Sequence, residues 1–80
     1  MNLRPIVTEK AVMMIEAQNT LTFETSKIKS KEDIKKEFEE VFNAKVQGIR
    51  TLIKGNRKYA YIKLKKQFPA IDIATKLGLM

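Results

Sequence analysis

The chain has 80 residues, of which 44% are hydrophobic, and a formal net charge of +7. This length fits one domain with a modest core, and the apolar fraction argues against disorder throughout. The chain contains no Cys and no His, which excludes disulfides and thiolate metal sites and removes the commonest general base. Since no apolar run approaches the ~18 residues of a membrane helix, we expect a soluble cytoplasmic protein that does not insert into membranes.

The first 25 residues predict an edge strand, a helix and a half-buried strand. Residues 2–7 are largely apolar but include a proline, which restricts them to the edge of a sheet. Thr8 can cap the helix that follows, and Asn19 can end it in a left-handed conformation. In the alternating stretch after that helix, Leu21 and Phe23 share one face, so this strand should be buried on one side only.

The second helix is the clearest element of the sequence. Ser30 and Asp33 resemble a capping box at its start. The apolar residues that follow recur at the spacing of one helix face and are Ile34, Phe38, Val41 and Phe42. This pattern predicts an amphipathic helix whose apolar side, including both phenylalanines, belongs to the core.

The positive charge is concentrated in the next segment, which predicts a β-hairpin. Residues 45–66 contain eight Lys or Arg residues and no acidic residue, whereas the segments on either side are nearly balanced. Apolar parity changes around Gly48, which indicates a β-bulge, and residues 54–56 (KGN) can form a tight turn. In the second strand Ala60, Ile62 and their alternate neighbours should point inward. Such concentrated charge is typical of proteins that bind nucleic acid, with a solubility role as the alternative.

A short helix beginning after Pro69 completes the predicted order (β)-α-β-α-β-β-α. This order is typical of an α+β fold, in which helices pack on an antiparallel sheet of three to four strands in a ferredoxin-like or RRM-like arrangement (RRM, RNA-recognition motif). No linker or repeat divides the sequence, so residues 1–80 are expected to form a single domain.

Catalysis has little support in this sequence. Acidic pairs such as Glu39 and Glu40 fall on the charged side of a helix, where solvation explains them. The glycines are too far apart for a phosphate-binding loop, and no Lys-Ser or Lys-Thr pair follows them. We therefore expect a binding protein without a cofactor, a metal or a small-molecule substrate, and not an enzyme.

Two tyrosines interleaved with cations indicate RNA binding. Tyr59 and Tyr61 lie on the outward side of the last strand, where stacking rings alternate with phosphate-binding cations. The octamer RKYAYIKL matches six of the eight positions of the RRM signature, but lacks its glycine and its last aromatic residue. A free-standing module that binds single-stranded RNA is therefore one alternative. Another is that both tyrosines pack beneath a helix with only their hydroxyls in water.

Five stretches, in order along nearly the whole chain, carry a resemblance to a known family. They are RPIVTEKA at 4–11, NTLTF at 19–23, KEDIKKEFEEVFNAKVQGIRTLI at 31–53, YAYIKL at 59–64 and DIATKLGL at 72–79. With these motifs the chain resembles the L23 family of large-subunit ribosomal proteins, in its short archaeal-type form. One departure is Tyr59, which stands where the family usually has a second cation.

The resemblance implies a structural protein that binds domain III of the large-subunit rRNA at the rim of the polypeptide exit tunnel. It also implies a neighbouring protein of the L29 family and a docking surface for the signal recognition particle and nascent-chain chaperones. In the bacterial branch, the glutamate that corresponds to Glu9 is a docking contact. That branch also carries a long loop between its last two strands, so the short turn at 54–56 implies that this chain does not line the tunnel lumen.

The residues expected to contact rRNA lie mainly in the basic hairpin. The first group comprises Arg50, Thr51, Lys54, Asn56, Arg57, Lys58, Tyr61 and Lys63. A second group comprises Lys10, Lys27 and Lys29. We expect these side chains to hold phosphates and 2′-hydroxyl groups of folded RNA by shape, with little readout of base sequence.

Overall fold

The computed structural model describes residues 3–25 and 30–78. Within these ranges, three helices pack on a four-stranded antiparallel sheet, which confirms the predicted α+β fold and order of elements. The elements are β1 (Arg4–Pro5), α1 (Glu9–Gln18), β2 (Thr20–Thr25), α2 (Lys31–Phe42), β3 (Val46–Lys54), β4 (Arg57–Leu64) and α3 (Ala70–Lys76). None of the helices in the described ranges combines the length and the apolar character needed to cross a bilayer.

The strands are arranged in the order β1-β2-β4-β3. Strand β4 lies between β2 and β3 and runs antiparallel to both, so α2 connects two parallel strands that are not neighbours. This is the split β-α-β unit of ferredoxin-like folds. The short β1 pairs with the outer edge of β2, placing Pro5 opposite Phe23. A proline is accommodated there because an edge strand has one side without hydrogen-bond partners.

Local sequence signals place the helix ends as predicted. The Thr8 hydroxyl accepts a hydrogen bond from the Ala11 backbone N–H at 3.1 Å, and the Ser30 hydroxyl accepts one from the Asp33 N–H at 3.2 Å. Both bonds satisfy donors that the first turn of a helix leaves unpaired. Asn19 ends α1 with φ 51°, in the left-handed conformation that asparagine tolerates better than most residues.

The main core lies between α2 and one face of the sheet, which we call the Phe23 face. The buried rings of Phe23 and Phe38 meet edge to face, with centroids 5.8 Å apart. In the last turn of α2, Phe42 packs on Phe38 at 4.8 Å. Val41 is 53% exposed, so its predicted place in the core is wrong. The buried side of this last turn is that of Phe42, and Val41 faces solvent.

Strand β2 is buried on both faces, which corrects the prediction that it would be buried on one side only. Leu21 and Phe23 are buried on one face, and Thr20 and Thr22 are 4% and 8% exposed on the other. The strand lies inside the sheet, and α1 packs along it. Because that cover comes from a different element, alternation within the strand could not reveal it.

The basic segment forms the predicted hairpin. Pairing passes from Val46–Leu64 to Gly48–Lys63, which confirms the bulge at Gly48. At the other end Lys54 pairs directly with Arg57 across a two-residue turn. Gly55 has φ 62°, a conformation that favours glycine at the first central position of a type II′ turn. The hairpin therefore ends in a compact tip.

Candidate nucleic-acid interface

The second face of the sheet, which we call the Tyr61 face, carries the outward residues of the hairpin. Strand register aligns Thr22, Tyr61 and Arg50 in one row across three strands. A second row runs from Glu24 through Tyr59 to Leu52. Residues directly opposite each other in antiparallel strands project to the same side, so the rows form one surface.

Exposed cations surround these rows. They come from β1, β3 and β4 and comprise Arg4, Arg50, Lys54, Arg57 and Lys63. Strand register places all of them on the Tyr61 face, with Arg4 opposite Glu24 and Lys63 opposite Thr20. Apart from Glu24, the charges on this rigid surface are positive, and such a field attracts polyanions and raises their local concentration.

Arg57, at the hairpin tip, forms an ion pair with Glu24 and stays largely exposed. Its Nε lies 3.7 Å from Oε1 of Glu24, and its side chain is 65% exposed. A hydrogen bond that the guanidinium donates to the Tyr59 hydroxyl raises the pKa of Arg57, and the negative charge of Glu24 raises it further. The side chain is therefore a permanent cation, partly oriented by its neighbours and still accessible to a phosphate.

The first half of α1 lies against the Tyr61 face and leaves a cavity of about 270 Å³ between them. Tyr59 and Tyr61 line this cavity from the sheet, and Ala11 and Met14 line it from the helix. Both tyrosines are half-buried, in keeping with the alternative that they pack beneath a helix. Their rings therefore do not form an open stacking platform.

A family model described as Ribosomal protein L23 matches residues 1–71, from before β1 to the start of α3. The chain belongs to the ribosomal protein L23 family. It is thus a structural constituent of the large ribosomal subunit, a ribonucleoprotein component that associates with the large-subunit rRNA and takes part in translation. The family is of a structural, non-enzymatic kind.

In this L23 family member, the predicted rRNA-binding residues of the hairpin divide between the two faces. Most of them share the Tyr61 face or the hairpin tip, and these are Arg50, Lys54, Asn56, Arg57, Tyr61 and Lys63. Thr51 pairs with Ala60 and Lys58 pairs with Thr25, which places both on the Phe23 face. A single flat contact therefore cannot include the whole predicted set.

The predicted residues outside the hairpin also separate. Lys10 is exposed in the first turn of α1 and lines the cavity beside the Tyr61 face. Glu9 is exposed in the same turn, where a carboxylate complements the positive end of the helix dipole. Lys27 and Lys29 lie outside the described residues.

Several residues of this site in the L23 family member could not be assigned to it from the sequence. Thr22 and Leu52 lie next to the tyrosines only because of strand register, and Met14 joins them from the helix. Arg4 joins the cations because β1 pairs with β2. The pairing of β2 with β4 would have predicted Thr22, had the order of the strands been known.

Proposed function

We propose that this chain forms a single rRNA-binding domain that contacts domain III of the large-subunit rRNA, at the rim of the exit tunnel of cytoplasmic ribosomes. The observation that carries the proposal is the Tyr61 face, where exposed cations from three strands lie on one rigid surface. Membership of the L23 family supports association with the rRNA. The position of the cations on this face supports an orientation in which the hairpin contacts the RNA. Helix α2, on the opposite face of the sheet, then points away from the RNA.

In this proposal the cations hold phosphates while the sheet fixes their spacing. Arg50 and Arg57 can each make paired hydrogen bonds to one phosphate, whereas Lys54 and Lys63 act as point charges. Because these side chains are already exposed, a phosphate can reach them without rearrangement of the sheet, and the contact releases counterions from the RNA. The resulting recognition depends on the shape of the folded RNA and on salt, and little on base sequence.

The remaining predicted contacts have narrower roles. Asn56 at the turn can reach a 2′-hydroxyl group, and Lys10 extends the basic surface onto α1. Lys58 and Thr51 lie on the Phe23 face and contact rRNA only where it wraps around the hairpin. Lys27 and Lys29 stay proposed contacts on the strength of the family resemblance.

We further propose that the first turn of α1 contributes to the docking of factors. Glu9 is exposed beside the Thr8 cap, so a basic residue of the signal recognition particle or a nascent-chain chaperone can reach its carboxylate. A neighbouring protein of the L29 family would complete this surface. The hairpin ends at a two-residue turn, which supports a position at the rim without lining the tunnel lumen.

A binding titration tests the proposed rRNA target. A structured transcript of domain III and a transcript of another rRNA domain of equal length are titrated with the protein at two salt concentrations. We expect tighter binding to domain III than to the other transcript. Salt weakens both, but the preference for domain III should remain at the higher salt concentration. Equal affinities for both transcripts would contradict the assignment to domain III. Preference for unstructured oligonucleotides, lost in Tyr61→Ala, would instead favour the free-standing RRM-like module.

A further inference from the structure

We propose that the cavity between α1 and the Tyr61 face receives one unpaired nucleobase of the rRNA. This inference rests on the proposed function, because it names the part of the RNA that enters this surface. The cavity has a volume of about 270 Å³. Pockets for whole small molecules begin at about 300 Å³, so this cavity is of the size that suits a single planar group.

The walls of the cavity suit the faces of a base. Tyr59 and Tyr61 contribute half-buried rings from β4, and Met14 contributes a polarisable thioether from α1. RNA bases that leave a helix are commonly stacked on aromatic side chains in protein complexes. Because the rings are held beside α1, the base would enter one defined slot and not spread over an open sheet.

Thr22 offers a hydrogen bond that the protein itself does not use. Its side chain lines the cavity directly opposite Tyr61 in the strand register and is only 8% exposed. The Oγ1 atom is buried and has no hydrogen-bond partner in the structure. Buried hydroxyls without a partner are uncommon in folded proteins. The edge of a nucleobase carries both donors and acceptors, and either pairs with this hydroxyl once rotation about the Cα–Cβ bond turns Oγ1 from the wall into the cavity that the side chain lines.

The charges around the cavity favour a nucleotide over an apolar side chain of another protein. Lys10 on α1 and Lys54 on β3 are exposed and line the cavity from the helix and from the hairpin. None of the described residues that line it is acidic. When a base is inserted, its sugar and phosphate stay outside, within reach of these two ammonium groups. An apolar side chain would make no use of the two ammonium groups and would leave the Thr22 hydroxyl unpaired.

Ultraviolet cross-linking of large ribosomal subunits that contain this chain tests the proposal, since it joins a base directly to an aromatic ring in contact with it. We expect mass spectrometry to find one rRNA nucleotide attached to Tyr59 or Tyr61. In parallel, Thr22→Val should weaken binding of the purified protein to complete large-subunit rRNA by about threefold to tenfold, as expected for one lost hydrogen bond.

Thr25→Val is the matched control. Thr25 is also 8% exposed with an unpartnered Oγ1, but it lies on the Phe23 face and does not line the cavity. Its substitution should leave rRNA affinity unchanged.

Three results would overturn the base-binding cavity. They are the absence of a tyrosine–nucleotide adduct, an adduct to another ribosomal protein, and equal affinities of the two valine variants. An adduct in domain III supports both proposals. An adduct in another rRNA domain supports the cavity and overturns the assignment to domain III.

Discussion

The side-chain amide of Asn19 donates a hydrogen bond to the backbone carbonyl of Leu64 at 3.1 Å, across 45 residues of sequence. The same nitrogen lies 3.3 Å from the carbonyl of Lys65 and 3.2 Å from that of Phe68. The amide oxygen accepts a hydrogen bond from the Ala70 N–H at the start of α3. One residue thus ends α1, begins the connection to β2 and fixes the segment between β4 and α3.

Two substitutions at Asn19 separate its backbone role from its side-chain role. Asn19→Gly keeps the left-handed conformation but removes the amide, so we expect a loss of about 2 kcal/mol in the free energy of unfolding. Asn19→Ala should lose about 1 kcal/mol more, since alanine resists positive φ. Urea unfolding monitored by circular dichroism measures both. If the glycine variant is as stable as the wild type, the side-chain hydrogen bonds contribute nothing.

The exposure of Val41 and the burial of Phe38 predict that truncation of these two side chains of one helix has effects of very different size. Phe38→Ala removes a ring that contacts both Phe23 and Phe42, and should cost about 3–5 kcal/mol in the free energy of unfolding. Val41→Ala should change it by less than about 0.5 kcal/mol, because the side chain is already in water. The same urea titrations test this pair. Similar losses in the two variants would contradict the position of α2.

The turn of the hairpin predicts a difference between two glycines. Gly55 has φ 62°, so Gly55→Ala should destabilise the protein by about 1–2 kcal/mol through backbone strain. At Gly48 no atom lies within 4 Å of an added Cβ, and its φ is outside the left-handed range. Gly48→Ala should therefore be neutral or slightly stabilising. Thermal unfolding of both variants measures the contrast, and a destabilised Gly48→Ala would argue against the bulge geometry.

The proposed orientation predicts which cations determine RNA affinity. Arg50→Ala and Arg57→Ala should each reduce the salt dependence of domain III binding, because each neutralised phosphate contributes about 0.7–0.9 to the slope of log K against log salt. Lys36→Ala removes the same charge from an exposed position on α2 and should leave that slope unchanged. Filter binding at several salt concentrations provides the slopes. Equal effects of all three variants would indicate a non-specific response to net charge.

The raised pKa of Arg57 predicts binding that is insensitive to pH. A cation whose pKa is raised by folding keeps its favourable contribution at every pH below its ordinary pKa, and loses it only as the pH rises through the higher folded value. Arg57→Ala should thus weaken RNA binding by the same factor at about pH 6 and at about pH 9. Titrations at both pH values check this. If the effect of Arg57→Ala became smaller between these pH values, another titrating group would be responsible for it.

The RRM-like octamer shows how a local pattern can be right about structure and incomplete about function. Its alternation correctly predicted strand β4, with Ala60 and Ile62 buried and the tyrosines on the opposite face. The same pattern favoured an open stacking surface on Tyr59 and Tyr61. In the structure α1 lies beside these rings and leaves them half-buried. A helix that precedes the octamer by some 40 residues is outside the reach of an eight-residue signature.

The sequence by itself determined the order of elements, the helix ends at Thr8, Ser30 and Asn19, the bulge at Gly48 and the concentration of charge in the hairpin. These features depend on side chains acting on backbone within a few residues, or on composition alone. Family motifs along the chain likewise predicted the L23 family that the family model confirms.

Only the tertiary structure decided which of these residues meet. It placed Thr22 opposite Tyr61, brought Arg4 to the Tyr61 face through the pairing of β1 with β2, and left a cavity open to solvent between α1 and β4. It also placed Val41 in solvent despite its helical spacing. Each of these outcomes depends on the order of strands and on which side of the sheet a helix packs. Those choices are made by contacts between residues far apart in sequence, so a local pattern carries no record of them.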